Sequence, residues 1–139
     1  MAAYCTRSDL AERFGERELL DLTDPYGEHG SIQDGPIDQA CQDATGQVDG
    51  YLRAAGYTVP LDPVPQLIRA VAADLARAQL YGHQELEHVR KRREAAVQHL
   101  KAIARGEVRL DAESREEDSA GAPTFEAGSG TFEKALEKY

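Results

Sequence analysis

The chain has 139 residues, 41% hydrophobic and 29% charged, enough for one compact domain or one domain with a tail and too few for two domains. Aromatic residues are scarce (Tyr 6, Phe 3, Trp 0), so the core falls to Leu, Ile, Val and Ala, a composition that favours helices and excludes a β-sandwich or barrel. A net charge of -9 and a pI near 4.9 exclude a protein whose whole surface grips nucleic acid, because phosphate neutralisation needs a basic face.

The charge is unevenly placed: residues 1–63 carry 4 basic and 12 acidic groups, residues 64–105 carry 8 and 4, and residues 106–139 carry 4 and 9. Such a basic middle between acidic ends finds its partners within one subunit or across a subunit contact. No apolar run reaches the ~20 residues of a membrane span, and MAAYCTRSDL lacks the basic-then-apolar order of a signal peptide, so a soluble cytoplasmic chain without membrane contact is expected.

Thr6 and Asp9 form a T-x-x-D capping signature that opens a first helix, with Cys5 and Leu10 as its hydrophobic staple and Phe14 on the same face as Leu10. Gly15 ends it, and a short amphipathic piece with Leu19, Leu20 and Leu22 follows. The stretch DPYGEHGSIQDG, from Asp24 to Gly35, is a loop. Pro36 fits the first turn of the next helix, whose apolar positions Ile37, Ala40, Cys41, Ala44, Val48, Tyr51, Leu52 and Ala55 form one stripe that Gly56 stops. Prolines keep Tyr57 to Pro63 extended.

Pro65 opens a helix running to about Tyr81, with Leu67, Ile68, Val71, Leu75 and Ala78 on its buried face. After Gly82 a further helix is expected from about Gln84 to Arg105, with Leu86, Val89, Ala96, Val97, Leu100, Ile103 and Ala104 as its stripe and Gly106 as its stop. These two long helices form an antiparallel hairpin. With the turn near Gly82 and His83, facing residues have numbers summing to about 166 or 167. That register sets Asp74 opposite Arg93 at the seam, and a structural ion pair between them is expected to fix the register.

Residues 1–110 thus form an all-α domain, a small helical bundle with a long-helix hairpin. Residues 111–139 read as a flexible acidic C-terminal arm, polar and without apolar period. Phe125, Phe132, Leu136 and Tyr139 are its large apolar groups, the pattern of a segment that orders on a partner.

The chemistry-bearing motifs are few. Setting Gly30 as the turn glycine of an EF-hand would place Pro25, Gly27, His29 and Pro36 where ligands are needed, so the frame fails as a calcium site. His83 and His88 are not at zinc-binding spacing, and Cys5 and Cys41, the only cysteines, read as small buried hydrophobes without a disulfide. Arg90, Lys91, Arg92 and Arg93 form the one basic cluster, but four consecutive helical residues spread over about 300° and cannot make one phosphate-tracking face. No nucleophile elbow, phosphate loop or dinucleotide fingerprint occurs, so neither a catalytic residue, a metal nor a cofactor is expected.

One ordered series stands out: Tyr4 and Thr6, Asp9-Leu10, Phe14-Gly15, LLDLTD from Leu19 to Asp24, Asp49-Gly50-Tyr51-Leu52, Tyr57, Pro60-Leu61, Val64-Pro65, Asp74 with Ala76, Leu80-Tyr81, and Leu100, Ile103-Ala104 and Gly106. Over about residues 4–110 it resembles the phage Mu-like head-tail connector family of tailed bacteriophages. The resemblance implies a non-catalytic adaptor of the virion, assembled from the host cytoplasm as a ring, commonly of twelve subunits, below the portal protein. Such a ring continues the DNA channel, lets DNA pass without sequence-specific binding, and reaches a tail-side stopper or tail-completion protein. The competing reading is a small helical prophage regulator or antitoxin-like protein that binds DNA or a partner through Arg90 to Arg93.

Overall fold

In the computed structural model, which describes residues 3–110, the chain forms five α-helices and, among the described residues, no strand. They are α1 (Arg7–Phe14), α2 (Glu16–Thr23), α3 (Asp34–Ala54), α4 (Gln66–Tyr81) and α5 (Glu87–Ala104), with a 3₁₀ turn at Gly82–Gln84. The all-α bundle with its α4–α5 hairpin is therefore present.

Each boundary has a local cause. Thr6 is the N-cap of α1 in extended conformation: the Asp9 backbone N–H donates to Thr6 Oγ1 at 3.3 Å, and the Thr6 N–H donates to Asp9 Oδ2 at 3.0 Å. At its other end Gly15 has φ +96°, donates its N–H to the Ala11 carbonyl, and in the same residue opens α2. The stops of α3 and α5 are the same motif built twice. Beyond α3, Tyr57 N–H donates to Leu52 O and Gly56 N–H to Arg53 O; beyond α5, Glu107 N–H donates to Ala102 O and Gly106 N–H to Ile103 O. Gly56 and Gly106 take φ +90° and +81°, which this double closure requires.

Helices α3, α4 and α5 make the central layer, and the α1–α2 pair lies against α3 and α4. Helix α4 touches all four others. Its small residues Ala72, Ala73 and Ala76 are fully buried, which lets its neighbours approach closely, while Ile68, Val71 and Leu75 fill the space between them. Ile37, Val48 and Leu52 of α3 and Leu100 and Ile103 of α5 are wholly enclosed, each burial contributing about 1.5–3 kcal/mol.

Two expectations for α5 are corrected. The helix begins at Glu87, not near Gln84, because the chain leaves Gly82 through a 3₁₀ turn and an extended Glu85. Leu86 consequently precedes the helix as its N-cap and is 48% exposed, off the buried stripe on which Val89, Ala96, Leu100 and Ile103 do lie.

The chain ahead of α1 is held by polar groups. Tyr4 N–H donates to Thr45 Oγ1 at 2.9 Å, and the Thr45 hydroxyl donates to the Cys41 carbonyl at 2.8 Å. The Tyr4 phenol donates to buried Asp49 and accepts from the Leu61 N–H at 3.0 Å, so one hydroxyl ties the N-terminal segment, α3 and the Tyr57–Val64 connection together. Burial, then the bond to Asp49, pushes the phenol pKa up to about 12. On the far side Leu110 N–H donates to Tyr57 Oη at 2.9 Å, folding the chain after α5 back onto the same connection.

Removing that hydroxyl leaves a buried carboxylate without its phenol donor and the Leu61 N–H without its acceptor. Tyr4→Phe should therefore destabilise the fold by about 2 kcal/mol in urea denaturation, with unchanged far-ultraviolet circular dichroism at zero denaturant. A loss below about 0.5 kcal/mol would show that the network is dispensable.

Candidate functional site

The features that could carry function are the basic cluster of α5, the Asp24 loop and the charged seam beneath them. Arg77 is the charged residue of α4 that enters the interior, its side chain only 9% exposed. Its Nε donates to Glu18 Oε2 at 2.7 Å and its Nη2 to Oε1 at 3.0 Å, a bidentate pair that crosses from α4 to α2. The guanidinium also stacks over Phe14 of α1 at 4.2 Å from the ring centroid, and Nη2 lies 3.4 Å from His88 Nε2 on α5. One side chain of α4 thus touches the three helices α1, α2 and α5. The bond to Glu18 raises the already high pKa of Arg77 against the opposing effect of burial, so the guanidinium stays charged.

One turn back along α4, Asp74 faces α5, but its partner is Arg92, whose Nε donates to Oδ1 at 3.0 Å. Arg93, assigned to Asp74 from the sequence, donates instead to both oxygens of Glu85, from Nε at 2.8 Å and Nη2 at 3.1 Å. The helix boundary explains the correction. Had residues 84–93 been one helix, Glu85 and Arg93 would stand about 12 Å apart along its axis. The Gly82–Leu86 linker, a 3₁₀ turn followed by extended Glu85, brings the carboxylate back over Arg93, and Asp74 is left to Arg92, still within the antiparallel register.

The rest of the basic cluster is paired as well. Arg90 donates from Nη2 to Glu87 at 2.6 Å and from Nη1 to Glu94 at 2.8 Å, and Lys91 Nζ lies 4.0 Å from the same Glu87. The bonds from Arg93 and Arg90 hold Glu85 and Glu87 below the usual carboxylate range. All four basic side chains therefore have carboxylates of this chain beside them, a weak basis for holding phosphate.

The Asp24 loop is built around an anion. Pro25 follows Asp24, Gly27 N–H donates to the Asp24 carbonyl, and the chain returns so that His29 and Gly30 donate their N–H groups to the carboxylate, Gly30 at 2.8 Å. Thr23 closes the base, donating its hydroxyl to Leu19 O and accepting from Gln33 N–H. With both Asp24 oxygens occupied by amide hydrogens, the loop is a poor cation ligand, and Tyr26 stands at its tip 87% exposed. No group of three or more His, Cys, Asp or Glu placed to hold a metal occurs among the described residues.

Two surface concavities, about 560 Å³ along α5 between Lys91, Gln98 and Lys101 and about 290 Å³ between Arg17, Leu20 and Ile32, bring together no nucleophile and base. No described helix is long and apolar enough to cross a membrane. The arm residues Phe125, Phe132, Leu136 and Tyr139 lie outside the described residues. The pairs Arg77–Glu18, Tyr4–Asp49 and Cys5–Cys41 were not legible in the sequence, although a lone arginine inside the alanine-rich run AVAADLARAQL is a signal that a buried partner exists.

Two outcomes follow. Arg77→Ala should cost about 3 kcal/mol by urea denaturation, because Glu18 loses its counter-ion, whereas the double change Arg77→Leu with Glu18→Leu should cost less than either single loss; equal losses would contradict a coupled pair. For Asp24, burial alone would raise the pKa, but the Gly30 and His29 amides outweigh it and hold it below the ordinary value. A depressed folded-state value means the loop contacts contribute fully above the usual carboxylate range and are lost as pH falls through the lowered pKa. Hydrogen exchange of the Gly30 amide should accelerate in that acid range relative to a core amide, and Asp24→Asn should abolish the transition; an unchanged acid profile in the variant would overturn the assignment.

Residues 4–127 match the family described as Bacteriophage Mu, Gp36. Gene product J of Escherichia phage Mu is 32% identical over 112 residues, covering 81% of this chain and 79% of that protein. With most of its length matched in both comparisons, the chain belongs to the Bacteriophage Mu Gp36 family of phage proteins.

Proposed function

We propose that this phage protein is a head-tail connector, a structural adaptor that forms a ring below the portal protein and continues the DNA channel toward a tail-side stopper or tail-completion protein. On this reading it is not an enzyme and needs no cofactor. The observation that carries the choice over a regulatory DNA-binding protein is the internal pairing of Arg90, Lys91, Arg92 and Arg93, which removes the basic surface that the alternative requires. A net charge of -9 on each subunit also suits a conduit, since a ring of acidic subunits repels the duplex and lets it slide. Phe125, Phe132, Leu136 and Tyr139 are proposed as the arm's contacts with a neighbouring component of the particle.

Like-charged subunits disfavour spontaneous association, so the free protein should sediment as a monomer at micromolar concentration in low salt, and rings should appear in negative-stain images only after the portal of the same phage is added. Removing residues 111–139 should leave circular dichroism and cooperative unfolding of the bundle intact while weakening portal attachment at least tenfold. A stable ring without portal would contradict templated assembly, and absence of any complex with the portal would contradict the connector reading.

A further inference from the structure

Cys5 and Cys41 are 36 positions apart in sequence, yet their sulfurs lie 3.3 Å from each other inside the core. Both are free thiols and both are buried. The contact joins two differently anchored pieces of chain: Cys5 belongs to the short segment ahead of α1, and Cys41 to the middle of α3. Around it the backbone is fixed, because Tyr4 N–H reaches Thr45 one turn along α3 and the capping box begins at Thr6. Two thiols held at this separation by independent contacts need little rearrangement to bond.

We infer that Cys5 and Cys41 form a site of reversible oxidation, closing to an intramolecular disulfide under peroxide and locking the N-terminal segment onto α3. The inference stands on the thiol geometry and does not depend on the connector reading.

The Cys5 S–H donates to Cys41 Sγ, and this bond lowers the Cys41 pKa against the opposing effect of burial, whereas the same bond, with burial, raises that of Cys5. With Cys41 taken as the attacking sulfur the step balances, as it does with the two exchanged. The Cys41 thiolate attacks one oxygen of hydrogen peroxide, the O–O bond breaks, hydroxide leaves, and Cys41 becomes a sulfenic acid. Cys5 then attacks Cys41 Sγ as its proton passes to the departing oxygen, so that the S–O bond breaks, the S–S bond forms and water is released. In sum, two thiols lose two protons and two electrons to one peroxide, which becomes two waters. Peroxide is close to water in size and reaches the pair through local opening of the hydrogen bonds that hold the segment ahead of α1.

The test uses the full chain with stoichiometric hydrogen peroxide, then dithiothreitol. Oxidation should lower the intact mass by two hydrogens, and trypsin should release the peptide 1–7 covalently joined to the peptide 18–53, in a protein that remains monomeric on a non-reducing gel. The thermal unfolding midpoint should rise and return on reduction, because the link closes a loop of 36 residue steps in the unfolded chain. Amide exchange at Tyr4 and Cys5 should slow at least tenfold. Cys5→Ser should unfold near the reduced wild-type midpoint and show no rise with peroxide, and Cys41→Ser serves as the second control should the first variant fold poorly. Disulfide-linked dimers, a sulfinic acid on Cys41 without the joined peptides, or an equal midpoint shift in Cys5→Ser would overturn the proposal.

Discussion

Helix α4 is surrounded by all the other helices and yet carries a guanidinium into the interior, and this constraint organises the molecule. An arginine cannot remain charged among packed alanines without a counter-ion and aligned acceptors. Glu18 supplies both oxygens, Phe14 supplies a ring face, and His88 closes the far side, so satisfying one side chain fixes where α1, α2 and α5 sit relative to α4. The small residues on either side, Ala76 and Ala78, leave room for this arrangement and set how closely the neighbours pack. The pair adds little net stability over an apolar equivalent; its effect is on which arrangement is allowed.

The same principle extends outward along the hairpin. Asp74 takes Arg92, Glu85 takes Arg93, and Glu87 and Glu94 take Arg90, so the arginines of the Arg90–Arg93 cluster find their partners within one subunit. Residues 1–63 carry 12 acidic groups against 4 basic ones, so the excess outside the hairpin is acidic. Exposed pairs of this kind contribute only a few tenths of a kcal/mol each, but together they remove a binding surface for polyanions. A paired cation cluster and an acidic excess make a poor surface for holding a polyanion.

Much of the fold was legible because its determinants are local. The Thr6–Asp9 capping box, the helix stops at Gly56 and Gly106, and the stripe from Ile37 to Leu52 follow from spacing alone, and all appear in the structure. The hairpin register was also readable to within one residue. That one residue mattered: Gly82 was read as the break, but no strong breaker follows it, so residues 84–86 were read as the start of α5 and the Asp74 partner was taken as Arg93 in place of Arg92. Contacts between distant positions left no local trace. Arg77 and Glu18 are 59 positions apart and Tyr4 and Asp49 are 45, and nothing in the periodicity of either segment names the other. The two cysteines were read as small buried hydrophobes, which they are, but their contact depends on how the segment ahead of α1 crosses α3.

The central claim is that Arg90, Lys91, Arg92 and Arg93 have carboxylates of the same subunit beside them and so do not grip DNA. Its most direct test is a fluorescence anisotropy titration of a labelled duplex with the full-length protein, repeated between about 50 and 200 mM salt, the range over which phosphate contacts are most clearly weakened. The account predicts no saturable binding at micromolar protein throughout that range. Saturable binding whose logarithm falls linearly and steeply with the logarithm of salt concentration would mean that several arginines leave their carboxylates for phosphate, and would contradict it.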